Sequence, residues 1–212
     1  MDESTLDPRI VRSRAVIMTA ASEHFLRKGY VGANVDEIAA EARVSKRTVY
    51  NIFGTKEQLF REILAEAFGT AERFSRETVS VLTDTDDLAG ELKAVAVRLA
   101  RIVLDPRVVR LRRLLIGEAE RFPELAGEYY RRAPDRVMDT LAEAIGRLGE
   151  RGLLRASDPR LAAEHFAFLV MGAALDRALF TVDGETLPQT EIETRAVAGV
   201  AAFLAAYKDE NS

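Results

Sequence analysis

Between Asn34 and Lys56 the chain carries three separate signals for starting a helix, so this stretch can fold only into short helices joined by tight turns. Asn34 precedes an apolar-periodic segment and has Glu37 three residues on. That is the pattern of a capping box, in which each side chain satisfies an otherwise unpaired backbone N–H. Ser45 is placed to cap the next helix, with Lys46, Arg47 and Thr48 in its first turn. Thr55 with Gln58 forms a second capping box and opens a third helix. Two short helices about three residues apart, the second starting with basic and hydroxyl side chains, have helix-turn-helix geometry.

The second helix of such a pair can enter a DNA major groove with its N-terminal side chains against base edges. Arg or Lys suits guanine O6 and N7, and Thr suits a hydroxyl contact or a thymine methyl. Lys46, Arg47 and Thr48 are therefore candidate base readers, with Ser45, Tyr50 and Asn51 on the same helix and Asn34 at the start of the preceding one. Lys56 sits at a helix N-terminus, whose free N–H groups favour an anion. Arg9, Arg12 and Arg14 cluster near the start of the first helix, and Arg14 is the candidate phosphate contact among them. The net charge of −4 would argue against nucleic acid if it were spread evenly. It is not: residues 8–56 carry nine Lys/Arg against four Asp/Glu, and the remainder of the chain is acidic. A basic module on an acidic body is the asymmetry expected when one end binds phosphates.

The run VSKRTVYNIFGTKEQLF resembles the signature of TetR-family transcriptional repressors, and AASEHFLRKGYVGANVDEIAAEARV resembles the first and positioning helices of that family. The likeness covers roughly residues 9–60. It implies that Tyr50 and Lys56 hold phosphates. Two positions depart from the family pattern. Arg43 stands where the family usually has glycine, which implies a non-glycine residue in a left-handed conformation or a different turn. Ala33 replaces a common threonine, removing one phosphate hydroxyl. Further on, RLLIGEAERFPELAGEYYRR and GLLRASDPRLAAEHFAFLVMG resemble the C-terminal effector domain of the AefR-like subgroup, which implies a ligand-binding and dimerisation body.

The rest of the chain reads as all-α, with about nine helices. Asp7-Pro8, Asp105-Pro106 and Asp158-Pro159 mark helix starts, with aspartate as the cap and proline at the first helical position. The first helix is expected from about Pro8 to Lys28, stopping at Gly29, with Ile10, Ile17, Ala21, Phe25 and Leu26 inward. The fourth runs to about Val81, followed by a polar loop at residues 83–87. The fifth covers about 86–104, the sixth about 106–121 and the seventh about 123–151, with Pro134 kinking or splitting it. The eighth covers about 158–180. A loop at Asp183-Gly184 follows, and Thr190 with Glu193 forms a capping box opening the ninth. Residues 8–55 form the DNA-binding domain, and residues 56–208 the ligand-binding and dimerisation domain, with the fourth helix as connector.

Catalytic and metal chemistry find no constellation. His24 and His165 lie on different helices and read as partly buried packing residues, and there is no cysteine. Asp176-Arg177 reads as an interhelical salt bridge. No catalytic residue, metal or cofactor is expected, and no stretch approaches the roughly 18 apolar residues of a membrane span, so a cytoplasmic location is the simplest. The eighth helix is apolar nearly all round and must be covered on more than one side. A homodimer interface is expected from Leu161, His165, Phe168 and Leu175 with Ile192, Ala196, Gly199, Val200 and Phe203 of the ninth. Candidate ligand contacts are Leu111, Leu114, Phe122, Tyr129, Met138, Phe168, Met171 and Arg177, with Arg113 or Arg177 meeting an acidic group. The reading is a dimeric repressor on double-stranded, pseudo-palindromic operator DNA, released by a small, mostly apolar or aromatic effector. The alternative is a DNA-binding protein of the same fold with a structural or protein-partner role and no inducer.

Overall fold

Three aspartates fix three helix starts in the computed structural model, which describes residues 7–83, 85–181 and 187–209. Asp7 accepts from the Arg9 N–H (2.8 Å), Asp105 from the Arg107 N–H (2.8 Å) and Asp158 from the Leu161 N–H (3.0 Å). Each is followed by proline, whose missing N–H costs nothing at the first helical position. The acidic residues 1–6, Asp84 of the polar loop, the Asp183-Gly184 turn and residues 210–212 lie outside the described residues.

The described residues form nine helices. They are α1 (Pro8–Gly32), α2 (Val35–Glu41), α3 (Lys46–Phe53), α4 (Lys56–Thr83), α5 (Leu88–Val103) and α6 (Pro106–Gly117), then α7 (residues 123–150), α8 (residues 159–180) and α9 (Gln189–Tyr207). The helical backbone of α1 is interrupted at Gly29 (φ 75°, ψ 172°), where the sequence stops it. α6 ends at Gly117, one turn earlier than expected. The glycine weakens the helix there, and the chain turns through Glu118 before Pro123 starts the next one. α9 is capped at Pro188, so the Thr190–Glu193 box does not form. Thr190 lies inside the helix, and Glu193 accepts from Arg101 instead (2.6 Å). Residues 152–155 meet the end of α9 in one short antiparallel bridge between Leu154 and Lys208, which the all-helical reading did not include.

Pro134 neither ends nor splits α7. It sits in a π-helical stretch, Arg131–Asp135, with helical backbone on both sides (Tyr130 φ −57°, ψ −50°; Arg136 φ −58°, ψ −38°). The wider turn accommodates the missing N–H. α8 holds a second π stretch, Phe168–Gly172, which the sequence does not signal. At Gly199 of α9, an added Cβ would come within 2.5 Å of the Leu169 carbonyl oxygen and 2.9 Å of Val170 Cα. The two backbones therefore touch at the π turn.

The chain divides into two compact units. One comprises Met1–Ala67 with Leu114–Ala126, and the other Phe68–Arg113 with Gly127–Ser212. The division falls inside α4, whose first turns bury Leu59, Phe60, Ile63 and Leu64 in the first unit, which also buries Ile17, Phe25, Ile38, Val49 and Phe53. Ile10, expected inside, is exposed. In the second unit Leu92, Val95, Leu99, Leu148, Phe166, Val200 and Phe203 are almost completely buried. Thr140 and Ser75 share a buried hydroxyl–hydroxyl bond there (2.9 Å).

Candidate nucleic-acid interface

The turn between α2 and α3 is held by backbone bonds alone. The Val44 N–H donates to the Ala39 carbonyl (2.9 Å) and the Arg43 N–H to the Ala40 carbonyl (3.1 Å). This six-to-one, five-to-two pair is a Schellman motif, with Arg43 in the left-handed position (φ 55°) that usually takes glycine. The family turn is thus kept with an arginine in the strained place. Ser45 then accepts from the Thr48 N–H (3.0 Å), and its hydroxyl lies 2.8 Å from that of Thr48. At the other end of α3, Gly54 (φ 74°, ψ −62°) makes a γ-turn closed by the Thr55 N–H on the Phe53 carbonyl (2.8 Å). Thr55 caps α4 through the Gln58 N–H (3.0 Å). Asn34 caps α2 through the Asp36 N–H (2.8 Å). Glu37 does not complete a box with it but turns to Lys28 and, at 3.5 Å, to His24.

These caps fix which side of α3 is free. Val49 and Phe53 are buried, whereas Ser45, Lys46, Arg47, Tyr50 and Asn51 are exposed and Thr48 is half-buried. Lys46 donates to Asp36 of α2 (2.9 Å), and that bond pushes its pKa above the usual lysine value. Lys46 is thus an exposed cation paired with a carboxylate of the preceding helix.

Arg14 and Lys56 both have partners within the protein. Arg14 is half-buried, donates to Glu62 of α4 (2.6 Å) and lies over the Phe53 ring (5.0 Å). It joins α1 to α4 over the end of α3, while Arg9 and Arg12 are exposed. Lys56 is half-buried at the start of α4, with its ammonium 4.8 Å from the Tyr30 ring centre and 3.4 Å from the Val31 carbonyl. Burial, and then the charge of Arg121, push its pKa below the usual lysine value. Tyr30 stacks on Phe25 (5.8 Å), packs near Phe60 (5.4 Å) and meets the edge of Phe122 (4.6 Å). Burial, followed by Glu57, raises its pKa. The sequence placed Phe122 with the ligand. In the structure it is part of this aromatic cluster beneath Lys56, a long-range pairing that local pattern could not reveal.

Other expected sites also move. Ile192, Ala196, Gly199, Val200 and Phe203 are buried within the second unit, so they are protomer core and not a surface for a second copy. The outward face of α9 is Val197, Ala198, Ala201, Ala202 and Ala205. On α8, Leu161, His165 and Phe168 are exposed, Phe168 at 74%, and Leu175 is half-buried; Leu169 and Phe180 are exposed as well. An exposed Phe168 cannot line an interior ligand site, and neither can the exposed Arg177 beside the exposed Asp176. Leu111, Tyr129 and Met171 are buried, Met138 is half-buried, and Leu114 belongs to the first unit. His24 is buried as expected and bonds Glu41 (2.8 Å), but His165 is exposed and bonds the Tyr207 hydroxyl (2.6 Å). Among the described residues no group of three or more His, Cys, Asp or Glu could hold a metal ion, and no helix is long and apolar enough to cross a membrane.

Residues 17–63 match the model of bacterial regulatory proteins of the tetR family, and residues 90–209 match that of the AefR-like transcriptional repressor C-terminal domain. The chain is 37% identical over 84 residues to the HTH-type transcriptional repressor SCO4008 of Streptomyces coelicolor, a match spanning 40% of each. Among solved structures, it resembles a TetR-family transcriptional regulator of Mesorhizobium loti MAFF303099 at 34% identity and a TM-score of 0.83, over 95% of this chain and all of that one. It also resembles the flavonoid-responsive regulator FrrA at 27% identity and a TM-score of 0.67, over 94% of this chain and 99% of that one.

Proposed function

The chain belongs to the TetR family of helix-turn-helix transcriptional regulators, which are not enzymes, and from that premise we propose that it is a homodimeric repressor released from DNA by a small, mostly apolar or aromatic effector. The observation that carries the reading is α3. Its first turn presents Lys46 and Arg47 to solvent on a helix pinned by the Ser45 cap and the Gly54 γ-turn, with Tyr50 and Asn51 exposed behind them. Residues 8–55 read DNA. Residues 56–208 bind the effector and pair the protomers, with α4 as connector.

Dimerisation is assigned to the outward faces of α8 and α9. Phe168, Leu169 and Phe180 are large apolar side chains exposed on α8, and the alanine face of α9 allows close helix approach. A two-fold dimer places two α3 helices about 34 Å apart, one turn of DNA. The effector acts through residues 114–126, which continue from α6 into the cluster holding Lys56: movement of Phe122 changes what Tyr30 and Lys56 rest on. Effector and operator then bind antagonistically, with coupling of about 1–3 kcal/mol. The likeness to the flavonoid-responsive regulator FrrA favours an aromatic effector over a protein-partner role without inducer.

Selection of bound duplexes from a random library by the full-length protein tests this reading. It should recover a two-fold symmetric sequence with half-sites one turn apart. Recovery of unrelated sequences without symmetry would count against both the dimer and the reader.

A further inference from the structure

The arginines of this chain are almost all accounted for where they are half-buried. Arg14, Arg61, Arg98, Arg147 and Arg160 each hold a carboxylate, and Arg110 donates to the Pro106 carbonyl. Arg112 and Arg113, both half-buried on α6, differ: the Nε of each is buried without a hydrogen-bond partner among the described residues. Nor can α6 supply one. It carries four arginines and no acidic residue, and the positions three and four away from the pair are Val108, Val109, Arg110, Leu115, Ile116 and Gly117. Leaving a guanidinium partly desolvated and unpaired is unfavourable, and a planar, always-charged fork is the group suited to a carboxylate or phosphate. Arg113 is also the last residue of the second unit before the 114–126 segment that reaches Tyr30.

We propose that Arg112 and Arg113 form the anion-recognising part of the effector site, so that the effector carries an oxyanion, a carboxylate or a phosphate, on its apolar or aromatic body. This rests on the reading of the C-terminal region as effector-binding. Neighbours on a helix point roughly 100° apart. The two side chains therefore leave α6 in different directions, and the length of each arginine must bring its guanidinium to the shared oxyanion, so each contributes separately.

The test uses the full-length protein with three probes at equal ionic strength: 2-naphthoate, 2-naphthyl phosphate and the neutral methyl 2-naphthoate. Thermal unfolding reports binding without DNA, and titration against the selected operator reports release. The proposal expects at least one anion to raise the wild-type midpoint, with the ester at least tenfold weaker. It expects Arg112→Met and Arg113→Met to be no less stable than wild type without ligand, because each removes a half-buried guanidinium whose Nε is unsatisfied, and to bind the anion at least tenfold more weakly. It is overturned if the ester matches the anions, if neither anion shifts the wild type, if both variants respond as wild type does, or if both variants are destabilised without ligand. An anion that binds through these arginines without weakening operator affinity keeps the anion site but refutes effector release. Release by the ester alone does the reverse.

Discussion

At the scale of single residues, two backbone positions on either side of α3 carry opposite choices. Arg43 adopts a left-handed conformation that costs an L-residue roughly 1–2 kcal/mol, part of which glycine would return in chain entropy. Arg43→Gly should therefore stabilise the protein by about 0.5–1 kcal/mol in urea unfolding. Gly54 is the reverse case. Nothing lies within 4 Å of an added Cβ, so Gly54→Ala tests backbone strain alone and should cost about 1–3 kcal/mol. If both variants match wild type, the turn geometry described here is wrong. Asp36 holds Lys46 by an exposed ion pair, so Asp36→Asn should free that cation and remove a charge near the phosphates. Operator affinity should then rise roughly two- to fivefold, less at high salt. A fall would show that the pair positions Lys46 for contact. The turns at Arg43 and Gly54 were legible in the sequence because they are local: a turn and a helix start are written within a few residues of one another. The bonds of Arg14 were not legible, because its partners, Glu62 and the Phe53 ring, are distant in the chain and nothing near Arg14 announces them.

At the scale of elements, the packing of α8 on α9 depends on Gly199. A methyl there would overlap the backbone of Leu169 and Val170, which cannot swing aside as a side chain can. Gly199→Ala should destabilise by about 1–3 kcal/mol in urea unfolding; an unchanged midpoint would mean that the helices are further apart. Helix number and order were readable from periodicity and from the Asp-Pro pairs. Which side of α8 and α9 faces the protomer's own core was not. A helix apolar all round states that it is covered, but not by what. Ile192, Val200 and Phe203 therefore looked as suitable for a dimer surface as Phe168 does. The π turns were illegible for a related reason, since the one in α8 meets a backbone contact made more than two dozen residues later.

At the scale of the whole molecule, the proposed function requires two copies with their readers in register. Phe168, at 74% exposure, is the most prominent of the candidate interface residues on α8 named at the sequence level. Phe168→Glu should leave the protomer folded, shift sedimentation from dimer to monomer and weaken operator binding at least tenfold, since one half-site is then read alone. A variant that stays dimeric would move the interface elsewhere. Whether the first turn of α3 reads bases is tested by titrating wild type and Arg47→Ala against the selected operator and against a scrambled duplex at one salt concentration. The gap between the two duplexes should shrink by about 1–3 kcal/mol for Arg47→Ala, the value of a good bidentate base contact, while binding to the scrambled duplex changes little. Equal weakening on both duplexes, with the gap intact, would contradict base reading by this turn.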